Sequence, residues 1–296
     1  MQSNFYLVNK SFEYKTKTTV SQIENRIRSF SDDYDFIRQH ESEVVLVNSG
    51  IYEALIYPNI TVAEFLGFSP NTKQLFNKQI ITYLNIVLRK SKKTSITTDE
   101  VIEILLNEQS ENELHGLMCL FEVEGIDPKF LVYNKNNWLS FHRYFLQQFL
   151  LTPEVFFSEC KKYFPNLIFH PNILTSLKKI LRDSYETIIK HLIYLNDILP
   201  ICIEENKTRQ DVLKQFNSSC DLDSNASPEG NIERKSDLTF DFQNNEGINE
   251  NIYCELHLKL VFNDNRKVEQ NRIYFHEGKY EIGGGKILIG HIGRHL

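Results

Sequence analysis

The sequence is poor in cysteine, and its cysteines are badly placed for cross-linking. Among 296 residues there are five, spread widely along the chain, and no two form a Cys-x-x-Cys pair. An odd number of separated cysteines is typical of free thiols in a reducing compartment, and it disfavours a disulfide framework, a zinc site or a redox motif. We therefore expect a cytoplasmic protein.

Long apolar runs and excess positive charge are also missing. The first residues, MQSNFYLVNKSFEYKTK, lack the apolar core of a signal peptide, and no run of about 18 residues is apolar and uncharged. The sequence thus predicts neither secretion nor contact with a membrane. Its net charge of −6 repels nucleic acid in bulk, so any nucleic-acid contact must come from a local basic patch.

What the chain has is enough apolar material for packed cores. Hydrophobic residues make up 41% of it and aromatic residues 12%. A chain of this length exceeds the usual size of one domain. We predict an α+β protein with a mostly helical N-terminal domain, a helical connector, and a C-terminal four-stranded antiparallel sheet packed on helices. The predicted segments are 1–170 for the N-terminal domain, whose role the sequence does not indicate, 171–216 for the connector, 217–236 for a polar loop or linker, and 237–296 for the sheet.

Hydrophobic spacing supplies the individual elements. It predicts helices at 20–40, 71–90 and 111–121, among others, and a run at 44–47 that fits a strand or a helix. In the C-terminal segment, four short β-rich runs separated by turn-forming residues favour an antiparallel meander. These runs are 238–242, 252–262, 272–276 and 286–291.

Alternation along the C-terminal runs predicts a polar sheet face. Side chains two residues apart share a face of a strand. Glu255, His257 and Lys259 then lie on one face, and Cys254, Leu256, Leu258 and Leu260 on the other. Arg272, Tyr274 and His276 share a face of the next run. If the strands pair in order, these polar faces merge, together with His291 or His295.

Such a patch can bind phosphate and transfer protons near neutral pH. We assign a candidate catalytic role to His257, Lys259, Arg272, Tyr274 and His276. Candidate nucleic-acid-binding residues are Lys259, Arg272, His291, Arg294 and His295. An ordinary solvated sheet face also alternates polar and apolar residues, so a purely structural role stays open.

The C-terminal region resembles the RelE/ParE toxin superfamily. In that superfamily a pair of helices precedes an antiparallel sheet with an RI.Y strand and an I.I strand. Arg272-Ile273-Tyr274 and Ile287-Leu288-Ile289 occupy the corresponding positions, and the resemblance begins near Ile173. It implies a metal-independent ribonuclease that uses Lys, Arg, Tyr or His on the sheet, or a ParE-type protein that is not a nuclease. The helical layout also looks like proteins of bacterial antiphage-defence or mobile-element loci.

Two other functions remain open at this point. Asp241 and Glu255, ahead of Lys259, have some of the character of a Mg²⁺-dependent restriction-like nuclease, although the Glu-x-Lys spacing is absent. The chain also fits a non-catalytic subunit of a defence complex whose sheet binds a partner. The leading hypothesis is a ribonuclease-type effector in a defence or toxin system. It needs no cofactor, acts on RNA rather than DNA, and has a protein partner from the same operon.

Overall fold

A computed structural model describes residues 1–180, 184–260 and 271–296 and contains both helices and strands. The prediction of a mixed helix and strand protein is therefore confirmed. The chain divides into two compact units, Met1–Phe145 and Leu146–Leu296, and the division falls within one helix. The prediction of a single four-stranded antiparallel sheet is wrong, because each unit has a five-stranded sheet and that of the first unit is parallel.

The first unit is built on the parallel sheet. Its strands are β1 (Gln2–Leu7), β2 (Glu43–Asn48), β3 (Leu55–Tyr57), β4 (Ile60–Thr61), β5 (Lys92–Thr94), β6 (Glu113–Met118) and β7 (Leu131–Val132). β3 and β4 form a separate small hairpin, and the sheet has the order β5-β2-β1-β6-β7. This is the strand order of a doubly wound α/β fold, in which helices connect parallel neighbours.

The helices of this unit begin at well-formed caps. They are α1 (Val20–Ile37), α2 (Val62–Leu66), α3 (Pro70–Leu75), α4 (Lys78–Lys90), α5 (Thr98–Asn107) and α6 (Lys135–Gln148). Thr19 and Gln22 form a reciprocal capping box at the start of α1. The predicted helix at 71–90 is two helices, because Phe76 is extended and the Asn77 side chain caps α4.

The predicted helix at 111–121 is wrong, since Glu113–Met118 form strand β6 beside β1. Leu114, Leu117 and Met118 recur at helical spacing, but all are buried as part of a parallel strand. Gly116 leaves room for the Phe5 side chain of the neighbouring strand β1, because a Cβ atom at residue 116 would lie 2.7 Å from the Phe5 ring. Buried parallel strands are apolar on both faces, so their spacing does not distinguish them from helices.

The second unit has a mixed sheet of order β8-β14-β13-β12-β9 and a separate hairpin, β10-β11. The strands are β8 (Leu167–Phe169), β9 (Ser227–Pro228), β10 (Thr239–Gln243), β11 (Asn249–Tyr253), β12 (Leu256–Leu260), β13 (Asn271–His276) and β14 (Ile287–Arg294). β8 runs parallel to β14, and the other pairs are antiparallel. Its helices are α7 (Pro153–Tyr163), α8 (Ile173–Leu177), α9 (Tyr185–Asp197), α10 (Leu199–Glu205) and α11 (Arg209–Ser219).

The run predicted at 252–262 contains the end of β11 and all of β12, and its last two residues lie outside the described ranges. The alternation of polar and apolar side chains predicted along this run is therefore interrupted between β11 and β12. Cys254, predicted opposite the polar face, lies in the same buried cluster as Tyr274. The hairpin approaches the sheet at Gly290, where a Cβ atom would lie 2.4 Å from the Phe240 ring.

The segment predicted as a polar loop, 217–236, carries regular structure. It includes β9 and a 3₁₀ helix, Ile232–Lys235. The segment predicted as a helical connector, 171–216, contains α8, α9, α10 and most of α11, and its residues 181–183 lie outside the described ranges. Within the described ranges, no helix is both long and apolar enough to span a membrane.

Candidate functional site

Strand register brings several predicted site residues onto one face of the second unit's sheet. His257 of β12 pairs with Tyr274 of β13, and Tyr274 pairs with His291 of β14. The ring centroid of Tyr274 lies 5.5 Å from that of His257 and 6.2 Å from that of His291. Lys259 pairs with Arg272 in the same way, so its side chain shares this face.

A carboxylate lies at the centre of the group. One oxygen of Glu229 is 2.7 Å from Arg272 Nη1, and it accepts a hydrogen bond from the Tyr274 hydroxyl at 3.4 Å. Arg272 also donates to the Tyr274 hydroxyl at 3.1 Å. The same oxygen of Glu229 lies 3.8 Å from Nε2 of His295. We call Glu229, His257, Arg272, Tyr274 and His295 the sheet network.

The segment after β9 holds Glu229 over the sheet. Ser227 pairs with His257, and the Glu229 N–H donates to the carbonyl of Glu255 at 2.8 Å. The 3₁₀ helix that follows is capped by Asn231, whose own N–H donates to the other Glu229 oxygen at 3.4 Å. The backbone of a short edge strand therefore fixes the position of the carboxylate.

Electrostatics keep this carboxylate ionised. Burial opposes its charge, but the Asn231 N–H and the guanidinium of Arg272 overcome that effect and hold the pKa of Glu229 below its usual 4.5. Only 11% of its side chain and 9% of that of Arg272 are exposed. A paired and largely buried Arg–Glu contact of this kind is strongly coupled, because either charge alone would lack solvation.

His295 and Arg234 close one side of the network. The guanidinium of Arg234 contacts the imidazole of His295, which is 23% exposed. Burial lowers the pKa of His295 from its usual 6.5, and the charges of Arg272 and Arg234 act in the same direction. His295 is therefore a more acidic proton donor than an ordinary histidine.

His257 is the most perturbed histidine of the network. It is 5% exposed, and burial together with the charge of Arg272 lowers its pKa from 6.5 to about 4. Its Nδ1 atom has no hydrogen-bond partner among the residues that the structure describes. A buried polar atom without a partner is uncommon in proteins.

Lys259 and His291 also lie on this face, whereas Arg294 pairs with Asn271 and therefore lies on the opposite face of the sheet. The Lys259 side chain is exposed, and its backbone N–H donates to the Ser224 hydroxyl at 3.1 Å. His291 is half-buried, and its Nε2 lies 3.0 Å from the carbonyl oxygen of Arg294. Arg294 is exposed at the end of β14.

His276 belongs to a different group of side chains. The N–H of Gly278 donates to its Nδ1 at 3.0 Å. Burial lowers its pKa, and the charged groups that act on it include Glu277, Arg209 and Glu255. Arg209 binds both of these carboxylates. The described contacts therefore do not join His276 to the sheet network.

The residues of the metal-nuclease alternative have separate partners. Asp241 lies 3.3 Å from Nε2 of His170, whereas Glu255 binds Arg209. Within residues 1–180, 184–260 and 271–296, no three or more His, Cys, Asp or Glu side chains are grouped to hold a metal ion.

Glu229 and Arg234 were missed in the sequence because they lie in the segment predicted as a linker. The sequence Ser-Pro-Glu-Gly-Asn has no alternation, and β9 is only two residues long. A carboxylate between Pro228 and Gly230 is the only local signal, and it is a weak one.

A scan against protein-family models, a search of curated proteins and a search of solved structures each found no match to this chain.

Proposed function

We propose that the second unit cleaves RNA by phosphoryl transfer at the sheet network, using side chains as acid and base. One observation carries the proposal: the Glu229 carboxylate lies among Arg272, Tyr274 and His295 on a single sheet face. A base, an acid and a fixed cation are the groups that attack by a ribose 2′-hydroxyl requires.

Each group has a role that one of its protonation states allows. Ionised Glu229 takes the proton of the 2′-hydroxyl as the 2′ oxygen attacks phosphorus. Protonated His295 gives its proton to the departing 5′ oxygen. Arg272 stabilises the negative charge that develops on the phosphoryl oxygens, because its planar guanidinium can donate to two of them. Glu229 leaves Arg272 when the phosphate enters between them.

The neighbouring residues bind the rest of the substrate. Lys259 is exposed beside Arg272 and forms no ion pair with a described residue, so it is available to the next phosphate of the strand. Neutral His257 packs beside the Tyr274 ring and helps to hold that side chain in place. Tyr274 orients Arg272 through its hydroxyl.

The resemblance to the RelE/ParE superfamily also supports a proposal about the biological role of the protein. Two of its residues, Arg272 and Tyr274, belong to the sheet network. We propose a cytoplasmic effector of a bacterial defence or toxin system, acting on RNA rather than DNA, with a protein partner from the same operon.

Low exposure of the network favours a second candidate. Glu229 and Arg272 neutralise each other and present little surface, as expected for a pair that shapes a docking face. In this case the chain is a non-catalytic subunit whose sheet binds a protein or nucleic acid.

Cleavage assays separate these functions. Full-length protein is incubated with labelled RNA and DNA, in EDTA and in Mg²⁺, beside Glu229→Gln, Arg272→Ala and His295→Ala. His276→Ala is the matched control, since it removes a sheet histidine outside the network. We expect RNA cleavage in EDTA, reduced about 10²–10⁴-fold in the first three variants and retained in the control.

Other outcomes contradict the proposal. Cleavage that requires Mg²⁺ and is lost in Asp241→Asn supports the metal nuclease. Binding without cleavage by the folded wild-type protein supports the second candidate.

A further inference from the structure

The first unit has a crevice at the carboxyl edge of its parallel sheet. β1 and β6 are neighbours, but the chain leaves β1 toward β2 and leaves β6 toward β7. The loops that follow β1 and β6 therefore diverge. In open α/β sheets, ligands bind in the crevice where the strand order reverses in this way.

Two adjoining cavities occupy this position. A cavity of ≈ 400 Å³ is lined by Thr16, Lys17, Thr18, Gln22, Arg26, Leu120, Phe121, Glu122 and Tyr133. A second cavity of ≈ 220 Å³ lies between Lys10, Glu13, Tyr14, Lys15 and Glu122–Glu124. Glu122 lines both, and the larger volume alone falls within the range of small-molecule sites, about 300–1,000 Å³.

Hydrogen bonds make one wall of the larger cavity rigid. Nη2 of Arg26 donates to the carbonyl of Cys119 at 2.7 Å and to that of Tyr133 at 2.6 Å. The Tyr133 hydroxyl accepts from the N–H of Val123 at 2.9 Å. These bonds connect the loops after β6 and β7 to α1.

The larger cavity is also lined by a lysine that has no ion-pair partner among the described residues. Lys17 is exposed and forms no ion pair among the described residues, whereas Lys15 is paired with Glu124 at 2.9 Å. Lys17 has a φ of 83°, a conformation that lysine rarely adopts. Gln22 also lines this cavity, and its amide oxygen accepts two hydrogen bonds from Thr19, so the amide N–H groups remain as its donors.

The carboxylate of Glu122 limits the class of ligand that the cavity can bind. Glu122 would repel a bare anion, but a carboxylate at this edge of a doubly wound sheet can accept hydrogen bonds from ribose hydroxyls. Phe121, which is 8% exposed, supplies the apolar part of the lining, because Leu120 is fully buried. The lining thus offers separate places for phosphate, ribose and base.

We propose that this crevice binds a ribonucleotide, with its phosphate on Lys17 and Gln22 and its ribose hydroxyls on Glu122. This site lies in the first unit and is independent of the sheet network, so either can be wrong without the other.

Titration of the full-length protein with fluorescently labelled ADP, followed by anisotropy, tests the site. We expect saturable binding, competed by unlabelled ADP and more weakly by inorganic phosphate. Lys17→Gln should weaken it about tenfold or more, because a charge-assisted contact is lost. Lys17→Gly should do the same while relieving the backbone strain, so a folding defect cannot imitate the result.

Two matched variants complete the test. Lys93→Gln removes another exposed lysine, one that does not line either cavity, and should bind ADP as the wild type does. Glu122→Gln should weaken the binding of ADP but not that of inorganic phosphate, because the substitution also removes a charge that repels a bare anion. No saturable ADP binding by the folded wild-type protein, or wild-type affinity for ADP in both Lys17 variants, overturns the proposal.

Discussion

The Glu229 carboxylate lies 2.7 Å from the guanidinium of Arg272 and joins the segment after β9 to the middle of the sheet. Because both side chains are largely buried, the pair gives the network its shape whether or not it takes part in catalysis. Stability and activity can therefore be tested on the same residues.

Removing one partner of this pair should destabilise the second unit. Glu229→Ala leaves Arg272 buried without its counter-charge, and we expect a loss of about 3–5 kcal/mol in the free energy of unfolding. The double variant Glu229→Ala with Arg272→Leu should recover part of the loss. Urea denaturation of the three proteins measures this, and Glu233→Ala, an exposed acid in the same segment, should change stability by less than about 0.5 kcal/mol. Equal stability of wild type and Glu229→Ala would show that the pair is not coupled.

Neutral His257 should make stability depend on pH. The pKa of His257 is about 4 in the folded protein, whereas a histidine in the unfolded chain has the usual pKa of 6.5. Between these two pH values the unfolded chain therefore binds more protons than the folded protein. The stability that His257 contributes is therefore present above pH 6.5 and is lost as the pH falls toward 4, by ~3 kcal/mol at most. Denaturation at pH 7.5 and 4.5 measures the difference, which should be smaller in His257→Gln. An unchanged difference in that variant contradicts the assignment.

RNA cleavage should be confined to acidic pH. The proposed base, Glu229, must be ionised, which holds above a pKa that is below 4.5. The proposed acid, His295, must be protonated, which holds below a pKa that is below 6.5. The rate should therefore rise with pH around a midpoint below 4.5, fall around a midpoint below 6.5, and be low above pH 6.5. In Arg234→Gln one positive charge near His295 is gone, so the descending limb should move to higher pH. A rate that is flat from pH 5 to 8 is incompatible with these roles.

Gly290 should be intolerant of a side chain, because the Phe240 ring occupies the space of its Cβ. Gly290→Ala is expected to destabilise the protein by about 1–3 kcal/mol through overpacking. Adding Phe240→Leu should restore part of this. Gly230→Ala is the matched control, since nothing lies within 4 Å of the added atom. Thermal denaturation of the four proteins tests whether the hairpin lies on the sheet as described.

The sequence predicts the C-terminal strands better than the parallel sheet, for a physical reason. In β12 and β13 one face is apolar and the other partly polar, so period two is visible. In β6 both faces are buried, and the only signal against a helix was Gly116. Strands β5 and β7 are three and two residues long, too short for any periodicity.

The residues of the candidate site likewise fall into those that alternation along a strand predicts and those that it does not. His257, Tyr274 and Arg272 lie on one face of the sheet, as alternation along the strands predicts. Regular antiparallel pairing keeps paired side chains on the same face. Glu229 was not predictable, since its position depends on a two-residue edge strand paired with a distant one. The break between β11 and β12 likewise depends on tertiary packing at Gly290.

The product of cleavage tests the central claim most directly. If the 2′-hydroxyl attacks phosphorus with help from Glu229, an RNA oligonucleotide incubated with the protein in EDTA should yield fragments ending in a 2′,3′-cyclic phosphate. A single 2′-deoxy substitution at the cleaved position should abolish that cut. Mass spectrometry of the fragments reads both results. A 3′-hydroxyl end, or undiminished cleavage at the 2′-deoxy position, would contradict the account.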